Sequence, residues 1–340
     1  MTDRLGKVDP AFLRDHVYPH LGADRDDVAL GPADGVDFGV LEFGGTAVAV
    51  ATDPVSILPE LGFERAGRFA FEVAVADVAV SGLPPSHLAV CLTLPPGVAD
   101  DDFAAFWSAI DAEADDLGVS VVTGHTARYG DCAYPWVGAA TAFAAGDPAD
   151  LVRPDGARPG DDVLVTRGPA VEATGLLATL FPEAVDLDDE TLATARERLD
   201  EARCVRDATT AAAAGPVTAM HDATEGGLAG ALNEVAASAG VRIDVEADRV
   251  PVRPGVPEFC DAVGMDPWAA TTSGTLVVTV DPSGTDAVLG ALRDRGTPAA
   301  RVGRVRVGEG VYRDGERLPR PDRDPSWAVY ERLAAASGSA

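Results

Sequence analysis

The sequence predicts an α/β chain, with α+β character, folded as two domains. Three observations carry this. Strand-like apolar runs alternate with helical segments in both halves. A stretch rich in Pro, Gly and Asp, residues 147–160, interrupts the alternation. The chain's 340 residues suffice for two separate cores. The expected domains are residues 1–146 and 161–320, joined by a linker at 147–160 and followed by a short terminal helix and tail at 321–340.

Residues 1–35 are polar and hold one short helix, Pro10–Leu21, punctuated by Pro10 at its start and Gly22 beyond its end. A loop at Gly31–Gly35 leads to a strand through Val40, Leu41 and Phe43, ended by Gly44-Gly45. Thr46–Ala51 is a second strand, closing on Thr52-Asp53-Pro54. Gly67–Gly82 is apolar nearly all round and is expected to be a buried helix. Asp77 is the one charge in its second half, and a carboxylate there is costly unless paired or bound to metal. His87–Leu94 reads as a buried strand. Phe103, Phe106, Trp107, Ile110, Ala114 and Leu117 then share one helical face behind the acidic start Asp100–Asp102. Val119–Val122 is a short strand running into Thr123-Gly124-His125-Thr126, and Trp136–Ala144 closes the half.

The second half opens with the strand Asp162–Thr166 and a helix over about Glu172–Leu180. A long acidic helix is expected over about Asp189–Ala214, followed by a strand into His221. Val241–Val245, Thr275–Val280 and Ala299–Val307 are further strands, with a helix at Thr285–Arg295. Asp324-Pro325-Ser326 starts a terminal helix, and the Ser-Gly-Ser-Ala tail is expected to fray.

The chain is organised around His221–Gly240, HDATEGGLAGALNEVAASAG. Asp222 followed by Glu225 is a capping-box pattern for a helix start. Gly226 and Gly227 inside that first turn cost about 1 kcal/mol each against Ala, so something approaches the backbone there. Two readings are open: an anion held by free N–H groups and the helix dipole, or tight packing on a sheet.

Lys and Arg number 27 against 55 Asp and Glu, a net charge of −28, and Lys7 is the only lysine. That surface suits a salt-rich cytoplasm and argues against nucleic acid or an anionic membrane as partner. Cys91, Cys132, Cys204 and Cys260 form no CxxC pair and read as reduced thiols of a cytoplasmic protein. The start MTDRLGKVDP has no apolar signal core, and no stretch has the length of a membrane span. Neither a GxGxxG after the first strand nor a P-loop lysine motif occurs, and HExxH and GxSxG are absent too.

Asp37, Asp53 and Asp77 sit at strand or loop edges in apolar settings. Such carboxylates suit a hard cation like Mg²⁺, held by one or two of them plus substrate phosphates. Taken singly, Asp53 reads as a strand-end Asp-Pro turn and Asp37 as a loop acid. The order of motifs carries more: LGKVDPAFL, GPADGVDFGV, ATDPVS, ADVAVSG, VVTGHTAR and HDATEGGLAGALNE. In this order the chain resembles the superfamily of aminoimidazole-ribonucleotide synthetase, thiamine-monophosphate kinase, selenophosphate synthetase and HypE-type hydrogenase maturation proteins. It looks closest to the archaeal HypE-like branch, and the resemblance spans roughly residues 5–310.

The resemblance implies an N-terminal sheet domain that pairs across a homodimer, a C-terminal α/β domain, and ATP bound with Mg²⁺. By position, Asp37, Asp53 and Asp77 match the family's metal-binding acids, and Gly124, His125 and Thr126 match its loop near the phosphates. Lys7 matches a Gly-Lys near the family's N-terminus. The turn from Asp222 through Thr224 to Gly226 and Gly227 would face phosphate or acceptor. The implied chemistry is attack on the ATP γ-phosphate by an oxygen of a small-molecule or protein-amide acceptor, with His125, Glu225 and His221 as candidate acid or base groups. Two departures soften the metal motifs: Val36 replaces an acid before Asp37, and Ala76 replaces an Asn before Asp77. HypE's Pro-Arg-x-Cys tail has no counterpart in ASGSA, which argues against hydrogenase maturation by that route. The alternatives are a non-catalytic nucleotide-binding homodimer and a relative of thiamine-monophosphate kinase.

Overall fold

The computed structural model describes residues 6–8 and 10–338. The first five residues and Asp9 of the run read as lacking a signal core, and the last two of the expected fraying tail, lie outside them. The chain divides into two compact units. The smaller comprises residues 27–31 and 37–151, and the larger the described parts of 1–26, 32–36 and 152–340. The sequence reading grouped residues 1–36 with the first domain. Residues 27–31 stay with the smaller unit, whereas contacts of Asp34 with Arg320 at 2.9 Å and Gly35 with Ser238 at 3.0 Å tie 32–36 to the larger one, as the described parts of 1–26 also are.

In chain order, α1 (Pro10–His16) belongs to the larger unit and is shorter than expected, giving way to a 3-10 turn at Tyr18–His20. The smaller unit contains β1 (Val28–Leu30), β2 (Gly39–Phe43), β3 (Thr46–Ser56), α2 (Phe63–Ala79), β4 (Pro85–Leu94), α3 (Asp100–Leu117), β5 (Ser120–Arg128) and β6 (Trp136–Gly146). Its sheet runs β1-β2-β3-β6-β4-β5, antiparallel except for the parallel β4/β5 pair. α2 packs on β3, β6 and α3. The covered face is built of small residues: Ala47, Ala49 and Ala51 of β3, and Ala140, Ala142 and Ala144 of β6. Gly67 lets α2 approach α3, since a Cβ there would lie 2.3 Å from Phe106 O. The other face, with Val48, Val50, Thr52, Cys91, Thr141 and Phe143, stays partly or fully exposed.

Two local expectations are corrected here. Asp53-Pro54 is no strand end, because β3 runs through both. Proline is tolerated since β2 pairs with β3 only as far as Val50, leaving that side of β3 an edge at Pro54. Gly124, His125 and Thr126 stand within β5, not in a loop.

The larger unit continues with β7 (Asp162–Thr166), α4 (Val171–Leu180), α5 (Asp189–Arg196), α6 (Val205–Ala214), β8 (Val217–Asp222), α7 (Gly227–Ala239), β9 (Arg242–Val245) and α8 (Val256–Val263). It closes with β10 (Leu276–Val280), α9 (Thr285–Asp294), β11 (Ala299–Arg306), β12 (Gly310–Arg313), β13 (Glu316–Leu318) and α10 (Pro325–Ala336). The sheet order is β13-β12-β9-β11-β7-β10-β8, with β12/β9 the parallel pair. β7 and β10 are buried at every position, as central strands covered on both faces are. One core lies between this sheet and α7, around Leu228, Leu232, Val163 and Ile243. A second joins α4, α5, α8 and α10 through Leu177, Phe259 and Leu333.

The single long helix expected over 189–214 is broken. α5 ends at Arg196, a 3-10 turn spans Glu197–Glu201, and α6 starts at Val205. Tertiary contact overrides helix propensity there. A Cβ on Gly175 would lie 2.1 Å from Leu199 N, and one on Gly274 would lie 2.2 Å from Glu201 O, so the segment is pressed between two glycines. Buried Arg198 bonds to Glu197 and Glu201, and Arg253 clamps Glu201 at 2.7 and 2.8 Å. Gly175→Ala is therefore expected to destabilise the chain by about 3 kcal/mol through overpacking against backbone, measurable as a lowered urea midpoint.

Candidate functional site

β8 is the edge strand of the larger sheet, and it delivers His221 and Asp222 to its end, each 2 % exposed. Asp222 does not cap a helix. It pairs with Leu276 of β10, and Ala223 N–H still donates to Thr275 O at 2.8 Å, so the sheet outlasts the expected helix start. The N-cap is Gly226, at φ +85°. Its N–H donates to Asp324 Oδ2 at 3.0 Å, and Gly227 N–H donates to Thr224 O at 2.9 Å. The two N–H groups that the sequence offered to an anion are thus engaged within the fold. Gly227 answers the open question in favour of packing: at φ +60°, a Cβ would lie 2.5 Å from Ala270 O and 2.7 Å from Trp268 O.

His221 stands between two acceptors. Nδ1 is 2.6 Å from Asp222 O, and Nε2 is 3.2 Å from Glu234 Oε2. A carbonyl and a carboxylate only accept, so both ring nitrogens face acceptors and the imidazole is poorly placed to act as a base. Arg320 reaches the other oxygen of Glu234 at 2.5 Å and bridges to Asp34 at 2.9 Å. Burial disfavours the charge on Glu234, but the hydrogen bond and charge of His221, with Arg320 and Lys7, outweigh it and bring its pKa down to about 2. Burial pushes the Asp222 carboxyl up, against the opposing charges of His221 and Lys7.

The sign of the Glu234 effect is testable. A depressed carboxyl contributes stability above its unfolded value of 4.5 that is lost as pH falls toward about 2. Glu234→Gln is expected to flatten the fall in stability across that window, read by acid titration of circular dichroism.

Lys7 lies beside this turn. Its backbone N–H donates to Glu225 Oε2 at 2.7 Å, and its ammonium donates to Thr224 Oγ1 at 3.2 Å. Glu225, expected as an acid or base, is thus an acceptor engaged by another segment of the chain. Burial raises the carboxyl of Glu172, which the charge of Asp324 raises further, and that of Asp324, which the charge of Glu225 raises further.

In the smaller unit, Asp37 precedes β2, Asp53 lies in β3 and Asp77 in α2, all three half-buried. Gly124 is required by strand approach, since a Cβ would lie 2.4 Å from Val90 O. His125 Nε2 meets Tyr129 Oη at 3.1 Å on the exposed strand β5, where Thr126 is also exposed.

Sequence reading missed Glu234, Arg320, Asp324 and Trp327. Glu234 carried a usable signal: it is the one charge in the apolar helix α7, the same logic that singled out Asp77. The others are joined to the turn only by distant chain segments.

The family model described as AIR synthase related protein, N-terminal domain, matches residues 35–144, and its C-terminal counterpart matches 158–314. The carbamoyl dehydratase HypE of Rhodobacter capsulatus is 32% identical over 265 residues, 77% of this chain and 76% of that protein. The chain belongs to the AIR synthase related family. Among solved structures, Escherichia coli HypE superposes with TM-score 0.70 at 27% identity, covering 92% of this chain and 96% of that one. A HypE solved in complex with ATP gives TM-score 0.67 at 23% identity, covering 94% and 97%. AaThiL solved with AMPPCP and TMP gives 0.69 at 20%, covering 85% and 91%. The latter two likenesses concern the fold. In this AIR synthase related chain, the N-terminal family match holds Asp37, Asp53, Asp77 and Gly124–Thr126, and the C-terminal match holds His221–Gly227 and Glu234. Lys7, Arg320, Asp324 and Trp327 fall outside both.

Proposed function

We propose that this chain is an ATP- and Mg²⁺-dependent phosphoryl-transfer enzyme that activates an amide or similar oxygen of a small-molecule or protein-borne acceptor. The observation that carries the reading is the survival of Asp37, Asp53 and Asp77 together in one unit of an AIR synthase related fold. Nucleotide-bound relatives of the same fold, and the carbamoyl chemistry in the name of the HypE relative, support it. As a donor type, three carboxylates suit a hard cation, although the oxygens of Asp37, Asp53 and Asp77 do not all lie within 4.8 Å of one another. These acids would hold Mg²⁺, which would supply charge neutralisation at the phosphate oxygens. Lys7 would bring its ammonium to phosphate as a compact charge. The acceptor oxygen forms its bond to the γ-phosphorus as the bond to the β,γ-bridging oxygen breaks, and ADP leaves. His125 is the candidate to take the acceptor's proton, since it is exposed and its Nε2 meets a hydroxyl, whereas His221 is buried and Glu225 is held by Lys7 and Trp327.

Titration calorimetry of ATP into the protein in molar KCl tests this. Binding that requires Mg²⁺ is expected, and no binding with or without the metal removes the reading. A second reading, a nucleotide-binding dimer without turnover, is favoured by Val36 and Ala76, which withdraw polar groups from the acids' surroundings. It predicts binding without ADP release for any acceptor, thiamine phosphate included. We also propose a homodimer built on the exposed face of the smaller unit's sheet, with the exposed strand β5 at its edge. Light scattering is expected to give roughly twice the chain mass of 34.9 kDa, and a monomer mass overturns it.

A further inference from the structure

Glu225 stands in the turn between β8 and α7, and its carboxylate is shared by two remote segments. Oε2 accepts the backbone N–H of Lys7 at 2.7 Å, and Oε1 accepts the indole Nε1–H of Trp327 at 3.1 Å. Gly6 fits the seat by lacking a side chain. Its φ is +97°, and a Cβ there would lie 2.9 Å from both Glu225 Oε2 and Trp327 Nε1. Trp327 is itself fixed, because Asp324 caps α10 by accepting Ser326 N–H at 2.8 Å and holds Gly226 N–H at 3.0 Å. The turn is therefore tied to α10 at Glu225 and at the residue after it. Lys7 lies upstream of α1, where an unseated segment would spread its ammonium over a wide volume. Seated, the ammonium rests on Thr224 Oγ1 at 3.2 Å.

We infer that Glu225, braced by Trp327, is a positioning residue that seats Gly6–Lys7 and so presents the chain's only lysine at the 222–226 turn. Its value to phosphate binding would be a raised local concentration of the ammonium, with its ordering entropy already spent. That last step rests on the phosphoryl-transfer reading; the seating does not. Trp327 and Gly6 lie outside both family matches, while Glu225 lies inside the C-terminal one.

A chain with one lysine gives the test a clean readout. The full-length protein is pulsed with acetic anhydride, and acylation of Lys7 is quantified by mass spectrometry on a peptide that separates it from the α-amine. Glu225→Ala, Gly6→Ala and the gentler Trp327→Phe, which keeps an aromatic ring but not the N–H, are compared under the same pulse, with circular dichroism confirming the fold. Each variant is expected to raise the Lys7 acylation rate about tenfold, the population shift that one charge-assisted hydrogen bond controls. Rates equal to the parent's in folded Trp327→Phe and Glu225→Ala overturn the seat. Adding ATP with Mg²⁺ separates the two ideas. Faster acylation in the variants, with no protection of the parent's Lys7 by nucleotide, upholds the seat while the phosphate contact fails. Protection by nucleotide, with parent-like rates in the variants, upholds the contact and overturns the seat.

Discussion

Asp53→Asn is expected to lower ATP turnover at least about a thousandfold while leaving the fold intact. The substitution preserves shape and removes one negative charge, so the loss isolates the carboxylate's electrostatic role. Several kcal/mol of transition-state stabilisation is the usual share of a metal-centred phosphoryl site, and each 1.4 kcal/mol or so is tenfold in rate. The strand should tolerate the change, because Asp53 is half-buried and β3 is held by its register with β6, Asp53 opposite Ala140. ADP formation measured beside circular dichroism decides it. Turnover at the parent rate in a folded variant removes the proposed reaction.

The largest expected stability effect lies in the other unit. Asp207 of α6 is 1 % exposed, and three donors converge on it: Arg167, Arg295 Nε at 3.0 Å and Thr297 Oγ1 at 2.7 Å. Arg167 also donates to Gly274 O at 2.9 Å, which fixes it there in the Asp207→Ala variant. Removing one side of a buried pair while the cation stays is costly, about 3–5 kcal/mol. Asp207→Ala should therefore lower the urea midpoint more than Gly175→Ala does. Molar salt should not restore it, since screening acts weakly on buried charge. A loss below about 1 kcal/mol, the level of exposed ion pairs, would show that solvent reaches the cluster.

What could be read in the sequence follows from where the governing contacts lie along the chain. β7 and β10 were legible because burial on both faces writes an unbroken apolar run. α2 was legible because its small residues are apolar nearly all round. The break at 197–204 was not, because it is imposed by Gly175 and Gly274, which have no periodic relation to the segment they press. β12, β13 and α8 were too short to stand out from the turns around them. At the site, Asp37, Asp53 and Asp77 stood out as charges in apolar surroundings. The capping-box reading of Asp222 and Glu225 failed because pairing with β10 holds Asp222 in the strand, and the seat for Lys7 joins residues 218 apart.

The discontinuous make-up of the larger unit has a consequence for how the chain is made. The smaller unit is complete, apart from residues 27–31, within one continuous run that ends at 151. It can close while the ribosome is still at work, as units of a growing chain generally do. The larger unit cannot, because it draws on the first residues of the chain and on α10 near its end. Gly6 and Lys7 are among the earliest residues to emerge, yet the indole that braces their seat emerges after more than three hundred others. Lys7 can meet Thr224 and Glu225 once those residues have emerged, and the brace at Trp327 follows 102 residues later. Bracing of the lysine's seat would therefore be among the last steps of folding.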